Sequence, residues 1–373
     1  MRRPTFFISS RSHSADLLAS ELVLTICDQF PKTEGVGVLG KWSARTRVTS
    51  LLELDAVQAA CITLGIEEGL RPLREQLLAN LPQVAILVGY SALHHELAGF
   101  FKQNNVPVIL YEITPQQALK GVNLDEARDR IKVALSIQKS GSAFIRAANI
   151  PFHYIGTPYR DRVAKVDVKA SAFPFLNGKP LVTLFPGGYG EALQQMLPLF
   201  GAIAAGLGEE IQVVVSLREE LDYEQTVTHF KTFLPDPDKV SFVLGMHLEL
   251  LSLSRVAITG SGAITMEAAI ALKPFMPIYD KDDKADEVGS FTLVNQSLGK
   301  RLVPEYSNKT PMTDILSRVK SLLIDGAERK ALITDLQNIA SEFQGSAADN
   351  AADYIVQETG LSKKRERPPV TPG

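Results

Sequence analysis

The stretch KPLVTLFPGGYGEAL, Lys179 to Leu193, runs an apolar strand through a tight pair of glycines into a helical segment. Gly187, Gly188 and Gly190 permit positive φ and a close approach of the backbone to a ligand. The following helix would aim free N–H groups and its positive dipole end at an anion. The stretch therefore predicts a phosphate-binding turn. A tight strand-to-helix turn that holds no ligand is the open alternative.

The same alternation of short apolar runs and helical segments extends to both sides. In the second half the runs are IQVVVSL (Ile211 to Leu217), VSFVLG (Val240 to Gly245), RVAITG (Arg255 to Gly260) and FMPIYD (Phe275 to Asp280). In the first half they are TFFIS (Thr5 to Ser9), VAILVGY (Val84 to Tyr90), VPVILYEI (Val106 to Ile113) and KVALSIQ (Lys132 to Gln138). Such near-continuous apolar strands are typical of parallel sheets covered on both faces. We therefore expect an α/β protein with two Rossmann-like, doubly wound parallel-sheet domains.

The alternation loosens in a polar, proline-containing stretch near residues 152–180, which is the best candidate for a domain boundary. We predict an N-terminal domain over residues 1–165 and a C-terminal domain over 166–345. A last helix is predicted over 346–360, followed by a basic, proline-rich disordered tail over 361–373. Parallel sheets bind ligands at the carboxyl ends of their strands, so a central cleft between the two domains is the expected place for a site.

Composition excludes several classes of function. The 373 residues carry a net charge of −3, so no global positive field recruits nucleic acid. The two cysteines, Cys27 and Cys61, do not support a disulfide framework or a zinc site. No stretch approaches the ~20 apolar residues of a membrane helix. We expect a bacterial cytoplasmic protein, and peripheral contact with the inner membrane stays open.

A second glycine turn follows another apolar run, in ITGSGAITMEAA, Ile258 to Ala269. Its Gly260, Ser261 and Gly262 repeat the first arrangement, and Glu267 follows in the helix. A glycine turn there could hold a diphosphate while the carboxylate accepts from ribose hydroxyls. Neither turn matches the P-loop or GxGxxG pattern, which argues against an ATPase or a hydride-transfer enzyme.

The turn after the first strand, ISSRSHSADLLASE (Ile8 to Glu21), lacks glycine, and Ser14 or Asp16 could cap its helix. The adjacent His94 and His95 point in different directions on a helix and cannot chelate one metal ion. The remaining histidines are scattered, so no metal-ligand spacing exists. We expect neither a metal nor a cofactor.

The order of motifs resembles the lipid-A-disaccharide synthase family, glycosyltransferases that join two acylated glucosamines. The resemblance spans nearly the whole chain. It implies the two-domain fold called GT-B, a UDP-sugar donor, inversion at the anomeric carbon and no metal. The segments that carry it are LGIEEGLRPLREQLL (Leu64 to Leu78), YIGTPYRD (Tyr154 to Asp161), GSGAITMEAAI (Gly260 to Ile270) and FTLVNQSLGKRLVPEY (Phe291 to Tyr306). The last two retain Glu267 and Asn295, which favours donor binding.

The departures from the family pattern fall on the chemistry. The family's GETSGD appears as RSHSAD, which keeps Ser14 and Asp16 but has Ser12 in place of glutamate. Its IDxPDFN appears as YSALHHEL, which puts Ser91 and His94 at the two aspartate positions. An inverting transfer needs a base near the acceptor hydroxyl, and serine cannot fill that role unaided.

The family's LPGSR appears as FPGGYG, in which Tyr189 replaces an arginine expected to meet the diphosphate. This removes a charge-assisted contact and leaves the helix N-terminal amides to carry the leaving group. Tyr189 could stack or hydrogen-bond in its place. Glu112 or His94 could serve as a substitute base, and a surface histidine with a capping glutamate is the alternative.

The predicted site residues fall into three groups. The candidate catalytic residues are Ser91, His94 and Glu112. The candidate nucleotide-sugar residues are Gly187, Gly188, Tyr189, Ser261, Gly262, Glu267 and Asn295. The candidate acceptor-side residues are Ser12, Ser14 and Asp16.

Three functions fit these observations. The first is an active transferase that takes a UDP-sugar, such as UDP-2,3-diacylglucosamine, and an acylated glucosamine acceptor. The second is a catalytically impaired relative that binds a nucleotide-sugar, a lipid or a partner protein, and the loss of both aspartates favours it. The third, a UDP-sugar epimerase, lacks clear counterparts for its catalytic carboxylates.

Overall fold

The computed structural model describes residues 5–112, 121–139, 141–169, 172–188, 190–219, 221–279, 290–343 and 345–359. The chain forms two compact units. One comprises the residues up to Pro158 together with those from Gly345 onward, and the other runs from Tyr159 to Gln344. Each unit is built on one parallel sheet, so the predicted fold class, two Rossmann-like α/β domains, is confirmed.

The first unit has a seven-stranded parallel sheet in the order β3-β2-β1-β4-β5-β6-β7. The strands are β1 (Phe6–Ser10), β2 (Gly35–Leu39), β3 (Thr49–Glu53), β4 (Val84–Val88), β5 (Val108–Glu112), β6 (Val133–Ser136) and β7 (Phe152–Tyr154). The helices are α1 (His13–Gln29), α2 (Leu54–Leu64), α3 (Ile66–Ala79), α4 (Ala92–Gln103), α5 (Leu124–Arg130) and α6 (Ala143–Ala147). The strand order reverses between β1 and β4, which makes this the switch point where such sheets bind ligands.

Alternate residues of β1 enter two separate cores, one on each face of the sheet. Phe7 packs on the face that holds Leu70 and Leu97. Phe6 packs on the opposite face, with Leu22 of α1. Since both faces are covered, a continuous apolar strand is stable here where an alternating one would bury polar groups.

The second unit has a six-stranded parallel sheet in the order β10-β9-β8-β11-β12-β13. The strands are β8 (Leu181–Phe185), β9 (Gln212–Leu217), β10 (Val240–Leu244), β11 (Val256–Thr259), β12 (Phe275–Tyr279) and β13 (Tyr306–Ser307). The helices are α8 (Gly190–Gly206), α9 (Tyr223–Lys231), α10 (His247–Leu253), α11 (Ala263–Ile270), α12 (Leu293–Leu298), α13 (Met312–Leu323) and α14 (Ala327–Glu342). Here the switch point lies between β8 and β11.

Two further helices lie near the unit boundary. Helix α7 (Pro158–Ala164) begins at the boundary, so the second unit starts earlier than the 165/166 division suggested by the sequence. Helix α15 (Ala347–Thr359) corresponds to the helix predicted over 346–360 and belongs to the first unit, where Asp349 accepts from Gln29 of α1 at 2.5 Å. The tail predicted over 361–373 lies outside the described residues. Within the described ranges, no helix is both long and apolar enough to cross a membrane.

Candidate functional site

The two predicted glycine turns touch each other at the switch point of the second sheet. β8 and β11 are paired in register, with Thr259 opposite Phe185. The Gly260 N–H donates to Phe185 O at 3.0 Å. A Cβ on Gly260 would lie 3.1 Å from Pro186 O, so a glycine is what lets the two turns approach this closely. The structure therefore brings into contact two turns that the sequence predicted only as separate, similar features.

The first turn has the backbone that its glycines were expected to provide. Gly187 has φ +61° and Gly188 has φ +73°, both in the left-handed region that favours glycine. A Cβ on Gly188 would lie 3.3 Å from Leu193 N, so this residue packs directly against the first turn of α8. Tyr189 lies outside the described residues.

The second turn leaves open space at the start of α11. Gly262 is the N-cap residue of the helix and is exposed, and a Cβ placed on it would meet no described atom within 4 Å. Ser261 is half-buried, and its carbonyl accepts from Leu293 N at 2.9 Å. Free N–H groups at a helix start suit an anion, so this open corner is available to a diphosphate.

Glu267 is buried in an ion-pair cluster below this turn. Its Oε1 lies 2.6 Å from Nη1 of Arg162, and its Oε2 lies 3.4 Å from Nε2 of His247. Arg162 Nη2 also donates to His247 Nε2 at 3.1 Å. Burial raises the pKa of the Glu267 carboxyl, but attraction to Arg162, His247 and Arg218 outweighs burial and lowers it to about 2. The sequence predicted that this carboxylate accepts from ribose hydroxyls. In the structure it is instead paired with Arg162 and lies beside His247.

This cluster adds positive charge to the edge of the sheet that carries the glycine turns. Arg218 directly follows β9 and His247 begins α10, so both lie at carboxyl ends of strands. Two guanidinium groups oppose one carboxylate. Glu267 lies little more than one helical turn after Gly262, about 8 Å along the axis, which is comparable to the Debye length. The cluster is therefore close enough to attract an anion at the turns.

Sequence reasoning missed these neighbours of Glu267. Arg162, Arg218 and His247 are far apart along the chain, and none belongs to a glycine turn. The sequence contained one weak signal for Arg162, which is that it directly follows the motif YIGTPYRD. Only the fold brings these side chains to one carboxylate.

Asn295 is buried, and its amide is fully used within the protein. Its Nδ2 donates to Val303 O at 2.9 Å and to Glu305 Oε1 at 3.0 Å, while its Oδ1 accepts from Leu302 N and Val303 N at 3.0 and 2.9 Å. Glu305 in turn accepts from Thr292 N at 2.9 Å at the start of α12. These contacts give Asn295 a clear role in shaping the loop between α12 and β13.

The first unit collects polar residues at its own switch point, including the candidate base His94. This histidine is 0% exposed. Its Nδ1 lies 2.7 Å from Gly89 O and its Nε2 lies 3.0 Å from Ser9 Oγ, so both nitrogens are used. Burial lowers the pKa of His94 to about 4, and the charge of Arg11 lowers it further, while the hydrogen bond that Nδ1 donates to Gly89 O opposes the shift. His94 is therefore neutral and internal at neutral pH, and the surface alternative for it is wrong.

The two serines among the candidates serve as helix caps. Ser91 caps α4, where its Oγ accepts from His94 N at 3.4 Å. Ser12 caps α1, where its Oγ accepts from Ala15 N at 3.4 Å. The prediction that Ser14 or Asp16 caps α1 is wrong, because the N-cap is Ser12 and both residues lie inside the first turn of the helix. Ser14 is exposed on its first turn.

Asp16 holds the loop after β2 in place. Its carboxylate is 0% exposed and accepts from Trp42 N at 2.8 Å and from the N–H groups of Gly40 and Ser43 at 3.1 Å each. The Ser43 hydroxyl also donates to it. Each buried N–H left without a partner costs about 1–3 kcal/mol, so this single carboxylate stabilises a whole loop.

We expect Asp16→Ala to lower the free energy of unfolding by about 3 kcal/mol, because the N–H groups of Trp42 and Ser43 and the Ser43 hydroxyl lose their acceptor and Gly40 N loses one of two. Urea denaturation would measure the change. Asp28→Ala is the matched control, since Asp28 lies exposed on the same helix. A loss no larger than that of the control would contradict the bracing role.

Glu112 is the only carboxylate among the three catalytic candidates. It is 2% exposed at the end of β5 and accepts from Ser142 Oγ at 3.4 Å. Burial lowers the pKa of Arg11, and the nearby Glu112 partly opposes that shift. Arg11 packs over Gly89, whose Cβ would lie 3.5 Å from Arg11 Nε. A glutamate and an arginine thus lie at the strand ends around this switch point.

Two doubly wound parallel-sheet units give the protein the two-domain fold called GT-B. The chain belongs to the lipid-A-disaccharide synthetase family, whose family model matches residues 6–281. It is 26% identical to the lipid-A-disaccharide synthase of Myxococcus xanthus, with 95% of this chain and 97% of that one covered. It is 23% identical to lipid-A-disaccharide synthase 1 of Legionella pneumophila strain Paris, with 94% and 96% covered. The resemblance drawn from the motifs is confirmed, and the chain is a distant member of this family of lipid A biosynthesis glycosyltransferases.

Solved structures share the fold at much lower sequence identity. The S. aureus MnaA–UDP co-structure has a TM-score of 0.68 at 13% identity and covers 97% of this chain and 98% of its own. UDP-GlcNAc 2-epimerase from Neisseria meningitidis bound to UDP-GlcNAc has a TM-score of 0.61 at 14% identity, with 96% and 99% covered. At this identity the likeness concerns the fold alone.

Proposed function

We propose that the protein binds a UDP-sugar through its second unit and transfers the sugar to an acceptor. The observation that carries this is the contact between the two glycine turns at the switch point, with Arg162, Arg218 and His247 nearby. Backbone amides and this positive charge would together offset the loss of the arginine that Tyr189 replaces. Several proteins of the same fold were solved with UDP or a UDP-sugar, which supports the choice of ligand.

The proposed donor is UDP-2,3-diacylglucosamine and the proposed acceptor is an acylated glucosamine. Membership of the family supports this pair. Apolar side chains for acyl chains are present at the end of α2, where Ile62 is 86% and Leu64 63% exposed, and on α3, where Leu78 is 58% exposed. Such a surface is consistent with a cytoplasmic protein that meets its acceptor at the membrane. Glu67, Glu68 and Arg71 on α3 limit how deeply it would insert.

In the proposed reaction the acceptor hydroxyl attacks the anomeric carbon of the donor from the side opposite UDP. Glu112 takes the hydroxyl proton as the new C–O bond forms. The bond to the diphosphate breaks at the same time, and UDP leaves with both electrons of that bond. The amides of the glycine turns stabilise the developing negative charge, as in other sites that use preorganised donors.

A second candidate function is a relative that binds the nucleotide-sugar, a lipid or a partner protein without transferring sugar. The burial of His94 and the capping role of Ser91 favour it, because the two positions that carry aspartates in the family are here part of the scaffold. Donor binding by the second unit is common to both candidates, so binding and transfer need separate tests.

Donor binding is tested by calorimetric titration with UDP. We expect Gly188→Val to weaken UDP binding at least tenfold, about 1.4 kcal/mol, because a β-branched residue cannot adopt φ +73° and its Cβ would crowd Leu193. Gly121→Val is the control, since it has φ +82° in open space in the first unit. No heat from the unchanged protein at about millimolar UDP would reject donor binding.

Transfer is tested by incubating the protein with UDP-2,3-diacylglucosamine and diacylglucosamine 1-phosphate and detecting the disaccharide by mass spectrometry. An authentic lipid-A-disaccharide synthase serves as the positive control. Product formation supports the transferase. UDP binding without product, beside an active control, supports the non-catalytic relative for this substrate pair.

A further inference from the structure

A cavity lies at the opposite edge of the second sheet from the glycine turns. Its volume is about 500 Å³, and it is lined where β8 and β9 begin, by Leu181 and Gln212, and by Arg255 just before β11. A strand of five or six residues separates the two edges by about 16–20 Å. The cavity is therefore distinct from the proposed UDP-sugar site.

Four cationic side chains line this cavity, namely Lys179, Arg255, Lys273 and Arg329. Two of them pair with the Asp325 carboxylate, which lies 2.5 Å from Arg255 Nη2 and 3.6 Å from Arg329 Nε. Lys179 interacts with the exposed Glu209. The Asp325 side chain is 78% exposed, so water screens most of its charge. The lining thus carries an excess of positive charge.

The cations are fixed in place by main-chain carbonyls. Arg329 Nη1 donates to Leu322 O at 2.6 Å and to Arg255 O at 2.9 Å. Arg255 Nε donates to Leu323 O at 2.9 Å, and the Lys273 ammonium donates to Ser252 O. An arginine has five N–H donors and a lysine has three, so these bonds position the groups without using all their donors.

The positive charges of these side chains also repel each other. Burial lowers the pKa of Lys273, and the charge of Arg329 lowers it further. Burial likewise lowers the pKa of Arg329, and the charge of Arg255 adds to the effect. An anion in the cavity would remove this repulsion, and a phosphate matches both guanidinium and ammonium donors.

We propose that this cavity binds a soluble small molecule that carries a phosphate group. The cation excess in a cavity within the usual 300–1,000 Å³ range of ligand pockets supports it. Leu176, Pro180 and Leu253 add an apolar wall for the uncharged part of such a molecule. This inference does not depend on the proposed transferase activity.

The test uses inorganic pyrophosphate as the probe, titrated calorimetrically into the Gly188→Val protein so that the glycine turns do not contribute. We expect binding to weaken at least tenfold when Lys273→Gln is added. Lys231→Gln is the matched control, because Lys231 is an exposed lysine on α9 of the same unit, outside the cavity. Lys273→Arg keeps the charge and is expected to restore binding. The same titrations are repeated with Gly188 retained, so that the proposal is still tested if Gly188→Val destabilises the protein.

Equal pyrophosphate affinities for the Lys273→Gln and Lys231→Gln proteins would overturn the proposal, as would no saturable heat in either background. Cosedimentation with phosphatidylglycerol vesicles distinguishes a lipid head group from a soluble source. Sedimentation that depends on Lys273 would contradict the soluble ligand. Failure of UDP to bind would leave the pyrophosphate result intact, so the two proposals are tested separately.

Discussion

We expect the Glu112→Gln variant to transfer sugar about 10²- to 10⁴-fold more slowly than the unchanged protein, with unchanged affinity for UDP. Glutamine keeps the shape of the side chain and can still accept from Ser142 Oγ, but it cannot take the proton of the acceptor hydroxyl. Glu112 belongs to the first unit and the glycine turns to the second, so donor binding is spared. The rate of disaccharide formation at saturating donor measures the effect.

The control for this experiment is Glu75→Gln, which makes the same chemical change at an exposed glutamate of α3. An unchanged rate in Glu112→Gln would remove Glu112 as the base. His94 is a poor substitute, because its nitrogens are occupied and burial lowers its pKa to about 4. The base would then have to come from outside the three candidates.

We expect Glu267→Ala to lower the free energy of unfolding by about 3–5 kcal/mol, the usual cost of breaking a buried ion pair from one side. The Glu267 side chain is 1% and that of Arg162 11% exposed. Removing the carboxylate would leave the Arg162 guanidinium largely desolvated without its anion. Chemical denaturation of the two proteins at pH 7 measures the loss.

The double variant Glu267→Met/Arg162→Met separates the ion pair from general packing. Because it removes both charges, we expect it to be more stable than Glu267→Ala. The single variants Glu267→Met and Arg162→Met complete the comparison, and a double variant that loses the sum of their two losses would contradict coupling between these residues.

The pH dependence of stability follows from the same carboxylate. The pKa of Glu267 falls from the ordinary 4.5 to about 2 in the folded protein. A depressed pKa means that its contribution is fully present above about pH 4.5 and is lost as the pH falls toward 2. We therefore expect the free energy of unfolding of Glu267→Gln to fall less steeply than that of the unchanged protein as the pH drops from 4.5 toward 2. An equally steep fall in the two proteins would contradict the lowered pKa of Glu267.

The backbone of the first glycine turn could be predicted from local sequence. A strand, a glycine pair and a helix determine a turn with positive φ, and the structure shows that turn at Gly187 and Gly188. The grouping of Arg162, Arg218 and His247 around Glu267 could not be predicted in this way. A carboxylate in a helix looks the same in sequence whether it faces a ligand or a buried guanidinium, and Glu267 faces Arg162.

Three strands of the first unit, β2, β3 and β7, escaped the sequence analysis. β2, with the sequence GVGVL, and β3 at the sheet edge do not show long apolar runs. The glycines of β2 are explained by its neighbour, because a Cβ on Gly35 would lie 2.4 Å from the Phe6 ring and one on Gly37 would lie 2.4 Å from Ile8 O. Close packing against β1 therefore takes precedence over the low strand propensity of glycine.

The amino-acid sequence by itself determined the fold class, the family and the two glycine turns, because apolar periodicity and glycine conformation are local properties of the chain. Only the tertiary structure decided that the turns touch, that Asp16 braces a loop, that His94 is internal and that Glu267 is paired with Arg162. These facts depend on which distant side chains share a buried space. In that space desolvation and charge pairing decide whether a polar group stabilises the protein or remains available to a ligand.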